Sequence, residues 1–186
     1  MNALAFSGWA AFFAVFYLSH REVREARGGG AKTENRVARE PASDAGMALQ
    51  FLALAIALFW QGPARPYMLV PSLIIMVASI GLVRAALQHL GRQWRVQAVV
   101  TDDHELVTTG PYSVIRHPIY LALLGMLVAT VELRGHPLAG ALALIIFLAG
   151  TEIRVRAEEK LLFKTFGEKF VVFLTVSRWA YLPGLR

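Results

Sequence analysis

The chain contains no cysteine. That absence excludes thiolate metal sites, cysteine nucleophiles and structural disulfides, and it leaves the redox compartment undecided. Charge is also sparse: 17% of the 186 residues are charged against 56% hydrophobic, and mean hydropathy is +0.49. Such a chain is too apolar for an ordinary soluble domain and too short for several domains, so residues 1–186 read as one membrane domain. The 19 Lys and Arg exceed the 13 Asp and Glu, giving a formal net charge of +6. This excess falls in juxtamembrane clusters without an RNA-reading motif, so the expected partner is anionic lipid and not nucleic acid. Internal repeats are lacking too.

Five apolar stretches, roughly 3–18, 45–60, 67–87, 119–133 and 137–153, approach the length a tilted helix needs to cross lipid. Several fall short of about 20 residues, which leaves a buried or re-entrant helix open for one or two of them. The first has no basic region before it and no small-residue cleavage pattern after it, while Arg21, Arg24 and Arg27 follow at once. It is read as a retained helix and not a secretory signal. Every Lys and Arg except Arg65 and Arg134 falls in 19–44, 84–116 or the tail after 153. The positive-inside rule makes those regions cytoplasmic, with the N-terminus outside and the C-terminus inside. The glycine run at 28–30 and the mixed charges at 32–44 read as a flexible linker without chemistry. Pro71 either kinks the third span or marks its first turn.

The first half, 1–88, is therefore three spans and a basic loop, and the second half, 89–186, carries the polar residues. Residues 97–120 read Q-A-V-V-T-D-D-H-E-L-V-T-T-G-P-Y-S-V-I-R-H-P-I-Y. Gly91, Trp94, Asp102, Asp103, Thr108, Thr109, Gly110 and Pro111 break any single helix there. Irregular backbone at membrane depth must be covered by protein or line a wet cavity. Gly110-Pro111-Tyr112 reads as a turn, and Pro118 as the rigid start of the fourth span with His117 extended before it. Taken alone, Arg116 and His117 with Tyr112, Tyr120 and Trp94 serve equally as an interfacial anchor.

A second cluster, Glu152, Arg154, Arg156, Glu158 and Glu159, continues the fifth span without a helix break, with Arg154 and Glu158 on one face at i,i+4. Charges at a helix end are, in isolation, more often a solvated face. Leu161, Leu162, Thr165 and Phe166 extend the apolar stripe to Gly167, a C-cap signal. This helix is expected to outrun the bilayer and, with 170–176 and 178–183, to fold over the connector as a cytoplasmic lid. The two clusters together hold an imidazole, phenols, carboxylates, a guanidinium and the amide of Gln97, without a Ser-His-acid set. His104, His117 and Glu158 lack metal-ligand spacing, and no metal is expected. A zwitterionic cofactor suits them: carboxylates hold an ammonium, while His, Tyr and backbone N–H groups hold a carboxylate and a ribose, all of which S-adenosylmethionine carries.

In order along the chain stand His104-x-Leu106-Val107-x-x-Gly110-x-Tyr112, Arg116-His117-Pro118-x-Tyr120, Arg154-x-x-x-Glu158-Glu159 and Phe166-Gly167. This series resembles the isoprenylcysteine carboxyl methyltransferase family and its phospholipid-methyltransferase relatives over about half the chain, roughly 90–183. The resemblance implies an all-α integral membrane protein of about five transmembrane helices, with cytoplasmic C-terminal helices forming a pocket for S-adenosyl-L-methionine and a lipophilic substrate arriving from the bilayer. Carried over by position, Gln97, His104, Glu105, Leu106, Val107, Tyr112, His117, Pro118, Ile119, Tyr120 and Glu158 are implied cofactor contacts. Arg154 is implied as the catalytic residue facing the acceptor. The chain departs from the family at Phe170 and Phe173, where tyrosines are common, and at Leu121, where glycine is. These departures leave the acceptor open among a prenylcysteine-like or isoprenoid carboxylate, a free lipid, and a small hydrophobic thiol or amine. A membrane NADPH-dependent reductase and a non-catalytic scaffold are the competing readings, and oligomeric state is not set by the sequence.

Overall fold

The computed structural model describes residues 2–26, 36–93, 99–101 and 105–184. Within them the chain forms α1 (Asn2–Ala26), β1 (Arg36–Arg39), α2 (Ala42–Phe59), α3 (Leu69–Leu90), β2 (Val99–Thr101), α4 (Pro118–Arg134), α5 (Pro137–Phe166) and α6 (Glu168–Val176). The class is all-helical, as the apolar stretches require, because a helix satisfies its backbone groups internally where lipid offers no partners. Among the described residues four helices, α1, α2, α3 and α5, are long and apolar enough to cross a membrane. The fifth expected span, α4, has 17 residues, or about 26 Å, and carries Glu132 and Arg134 near its end.

Elsewhere the elements refine the sequence reading. Pro71 lies in the first turn of α3, preceded by a 3-10 turn over Pro66–Met68, so it starts the helix and does not kink it. α1 runs about two turns past its apolar stretch, and Arg21 bonds Glu25 at 3.0 Å along that extension. The presumed linker contributes a strand: β1 pairs antiparallel with β2, with an irregularity between Arg36 and Ala38. Four residues are too few for an alternating pattern to announce a strand. At the opposite end of the bundle the two short connectors meet, with Gly62 N donating to Arg134 O at 2.6 Å and Arg65 N to Leu133 O at 3.1 Å. Trp60 stacks on His136 there, with ring centroids 5.8 Å apart.

Two apolar clusters hold the bundle. Trp9 and Phe12 of α1, Met76 and Val83 of α3 and Met126 and Ala129 of α4 form one. Ala53 and Ala57 of α2, Leu124 and Leu127 of α4 and Ala143 and Phe147 of α5 form the other. Val70, Ile74 and Val77 of α3 and Ile145 of α5 point outward, as expected where hydrocarbon replaces water. α2 and α5 pack most closely. A Cβ on Gly46 would lie 2.5 Å from Gly150 O and 2.7 Å from Arg154 Cγ, so this crossing needs glycine and fixes the stem of Arg154. Beside it Gln50 Nε2 donates to Thr151 Oγ1 at 2.8 Å within the buried interface. We expect Gly46→Ala to lower stability by about 1–3 kcal/mol, because the helices must separate. Gly81→Ala, whose Cβ would meet nothing within 4 Å, should leave it unchanged or slightly raised. Thermal unfolding in detergent compares the two, and equal behaviour would remove the close crossing as a constraint.

Candidate active site

The connector between α3 and α4 is built from short pieces. After Leu90, Gly91 (φ +47) ends α3, and a 3-10 turn at Gly110–Ser113 carries Tyr112 into the interior. Gly110 (φ +60) lies so close to His89 that a Cβ would come within 2.3 Å of its ring, which accounts for a glycine at this turn. His117 is the N-cap of α4 in a non-helical conformation (φ −127, ψ 64), and Pro118 takes the first helical position. The segment after α6 pins this loop from outside: Arg116 N donates to Trp179 O at 2.9 Å and His117 N to Ala180 O at 2.7 Å.

α5 continues past its apolar part to Phe166 and ends at Gly167 (φ +52), as its stripe predicts. On that extension Arg154, Glu158 and Glu159 face the connector. Arg154 Nε donates to Tyr120 Oη at 2.7 Å, and the Tyr120 hydroxyl donates in turn to Glu158. Arg154 Nη2 lies 3.5 Å from Glu158 Oε1, and its guanidinium sits 5.3 Å from the centre of the Tyr120 ring. His117 stacks on Tyr120 at 5.6 Å, with Nδ1 3.4 Å from Glu158 Oε2 and Nε2 3.5 Å from Glu159 Oε1. The Nε2 contact is an ion-pair distance without hydrogen-bond alignment, and the atom is buried. Arg116 Nε donates to Glu159 Oε1 at 2.8 Å, and its Nη1 reaches Ser177 O at 2.7 Å and Arg178 O at 3.0 Å.

These groups form one end of a cavity of about 430 Å³. Of the residues implied by the resemblance, Glu105, Leu106, Val107, Tyr112, His117, Ile119, Tyr120, Arg154 and Glu158 all line it. Pro118 is fully buried and shapes the helix start without lining it. Gln97 and His104 lie outside the described residues. Sequence reasoning missed the rest of the wall. Trp9, Phe13 and Phe16 of α1, Met47, Gln50, Phe51 and Leu54 of α2, Leu123 and Leu127 of α4 and Phe147 of α5 form an apolar arm. Each helix contributes an i, i+3/i+4, i+7 stripe or part of one, a pattern that in a membrane helix does not separate a cavity wall from ordinary packing. Phe173, one of the family departures, reaches the cavity from α6, while Phe170 is buried beside it. Phe13 and Phe51 line the arm and are also exposed, so it opens sideways between α1 and α2.

The pattern of the isoprenylcysteine carboxyl methyltransferase family matches residues 72–164, half of the chain. The chain belongs to that family. No curated protein matches it. Family membership makes methyl transfer the chemistry to be explained and implies a methyl donor. The matched segment holds the connector, α4 and the charged part of α5, whereas α1, α2 and α6 fall outside it. The methyltransferase signature therefore supplies the polar end of the cavity and part of its apolar wall, and the unmatched α1, α2 and α6 supply the rest of the apolar side chains.

Electrostatics sort the protonation states. Burial, and then the charge of Glu158, push the Tyr112 phenol well above its ordinary value, so it stays a neutral donor. Burial alone would lower the His117 imidazole, but its contacts with Glu158 and Glu159 and their charges outweigh burial and raise it above 6.5. A cation held in this way contributes stability fully below about pH 6.5, and the contribution is lost as pH rises through the raised folded-state value. The melting temperature should fall across that neutral-to-alkaline window in the wild type and stay flatter in His117→Asn. Thermal unfolding over a pH series in detergent measures both, and identical slopes would rule out a charged His117.

Proposed function

We propose that this protein transfers a methyl group from S-adenosylmethionine to the carboxylate of a lipophilic, prenylcysteine-like acceptor. The observation that carries the reading is convergence: His117 and Tyr120 of one segment and Arg154 and Glu158 of another, with Tyr120 and Arg154 34 positions apart, meet in one cavity whose remaining walls are largely apolar. The donor's chemistry suits the groups at that end. The cavity volume falls in the range for a ligand of this size. The Glu158 carboxylate can hold an ammonium, and the Tyr112 phenol and the buried Nε2 of His117 are polar atoms suited to a ribose or a carboxylate. Glu105, Leu106, Val107 and Ile119 would complete the donor's surroundings.

When bound, the donor supplies an electrophilic methyl group on a sulfonium. The protein's own contribution is alignment. A carboxylate acceptor is already ionised at neutral pH, so no strong base is needed and none is proposed. Arg154 would hold the acceptor carboxylate, and Tyr120, bonded to both Arg154 and Glu158, keeps the guanidinium beside the donor-holding carboxylate. Apolar side chains from α1, α2 and α6 exclude water from both reactants, which supports in-line displacement. The basic clusters favour placing this end of the cavity at the cytoplasmic face, with the N-terminus outside.

The division of roles is testable with purified protein in detergent. Arg154→Ala should lower turnover about a hundredfold while changing S-adenosylhomocysteine affinity less than about threefold. Glu158→Ala should weaken that affinity about tenfold or more. Calorimetry and release of S-adenosylhomocysteine against a panel of lipid carboxylates give the two readouts. Equal losses in both variants would contradict the assignment, and selective binding of NADPH instead would overturn the methyl-transfer reading.

A further inference from the structure

The end of the bundle remote from the charged cluster holds two cations that the methyl-transfer site does not use. Arg134 closes α4 about 20 Å along the helix from Tyr120. Arg65 stands in the connector between α2 and α3. Both are partly buried, and neither is paired with a carboxylate among the described residues. Arg65 Nη2 donates to Gly135 O at 3.0 Å, and Arg134 Nη2 donates to Gly62 O at 3.4 Å. Those carbonyls belong to one crossing: Gln61 bridges Gly135, and a Cβ on Gly62 would lie 3.2 Å from Gly135 O. The two guanidiniums therefore flank the same spot. Arg134 Nε is shielded from water there without a hydrogen-bond partner. The Glu132 carboxylate accepts instead from Ser72 Oγ of α3 at 3.3 Å. A carbonyl satisfies one N–H of a guanidinium and leaves its charge uncompensated. The backbone adds charge of the same sign, because α3 and α5 both begin beside this crossing with no side-chain cap and no acidic residue in the first turn. Their free N–H groups and positive dipole ends lie next to the two arginines.

We infer that Arg65 and Arg134 together bind the phosphate of an anionic lipid headgroup, at a site separate from the cavity. Guanidinium forks match phosphate oxygens in geometry as well as charge, and uncapped helix starts favour the same anion. Free phosphate would meet the same donors, but the surroundings suit a lipid. Trp60 and Tyr67 are exposed around the crossing, where aromatic side chains sit at headgroup level. Phe59 of α2 and Val70 and Ile74 of α3 are exposed next to it and offer acyl chains a surface. The bound phosphate joins the α2–α3 connector to the α4–α5 connector, and so holds the far ends of helices that line the cavity. Arg65 precedes the segment that matches the family, so the pair is not contained in the methyltransferase signature. The site stands independently of the function proposed above.

The test uses the full chain in uncharged detergent. Dioleoyl phosphatidylglycerol at about ten times its Kd should raise the melting temperature by about 4 °C, and dioleoyl phosphatidylcholine by less than about half as much. Arg65→Gln and Arg134→Gln should each remove about half of the rise or more, and the double variant nearly all of it. Lys164→Gln and Lys169→Gln, at exposed positions near the other end of the bundle, should keep it. Each rise is taken against the same variant without lipid, so stability lost through a substitution does not enter. Lipid phosphorus retained after detergent washing reads the same binding without unfolding, and it should fall by about one phosphate per chain in the double variant. S-adenosylhomocysteine affinity should stay unchanged in that variant, which separates this site from the methyl donor's. A full rise in the double variant, a rise lost in the lysine variants instead, equal rises with both lipids, or no rise with either would overturn the site. An equal rise with glycerol phosphate or inorganic phosphate would overturn the lipid as its ligand.

Discussion

Two adjacent carboxylates near the end of a membrane helix have to be neutralised by something, and the rest of this structure follows from how that is done. Glu158 and Glu159 are both largely withdrawn from water, where an unpaired charge costs several kcal/mol. Glu158 is met by Tyr120, His117 and Arg154, and Glu159 by Arg116 and His117. The helix that carries the acids is thereby tied to the loop that starts α4. Arg116 passes the constraint on by binding the carbonyls of Ser177 and Arg178, which draws the segment after α6 onto the same loop. Ile115 and Trp179 pair there as a parallel bridge. Connector, charged helix and C-terminal strap form one unit.

That unit accounts for only one end of the cavity. The other is made by helices whose sequences carry no chemical signal, and the decisive contact is the approach of Gly46 to Gly150. With no side chain between them, α2 lies close enough to α5 for Gln50 to bond Thr151 and for the Arg154 stem to be held from behind. α1 packs mainly on α3 and α4 and leaves the space that the arm occupies. The polar end is thus rigid through ion pairs, and the apolar end is shaped by packing and open toward lipid. Such a polarised cavity suits a reaction between a charged donor and a greasy acceptor.

The sequence was most legible where local rules act. Pro118 after His117 forces a helix start, Gly167 ends a helix whose apolar stripe runs out, and the apolar lengths of α1, α2, α3 and α5 leave lipid-compatible helices as the reading. It was less legible where a short element depends on a distant partner. The strand β1 forms because β2 is available, and nothing in four residues of the supposed linker says so. α4 shows a related ambiguity, since 17 residues bounded by Pro118 and Arg134 satisfy both a short span and a packed internal helix.

The ordered series of His117, Tyr120, Arg154 and Glu158 was enough by itself to single out the candidate site residues, because few side-chain sets are tolerated beside lipid without a function. Their meeting was a tertiary decision. It needed α5 to continue past its apolar part, the connector to turn back at Gly110, and the strap after α6 to hold it there. The apolar arm belonged wholly to the tertiary structure, since a tryptophan or phenylalanine facing a cavity and one facing a neighbouring helix obey the same periodicity, and only packing separates them.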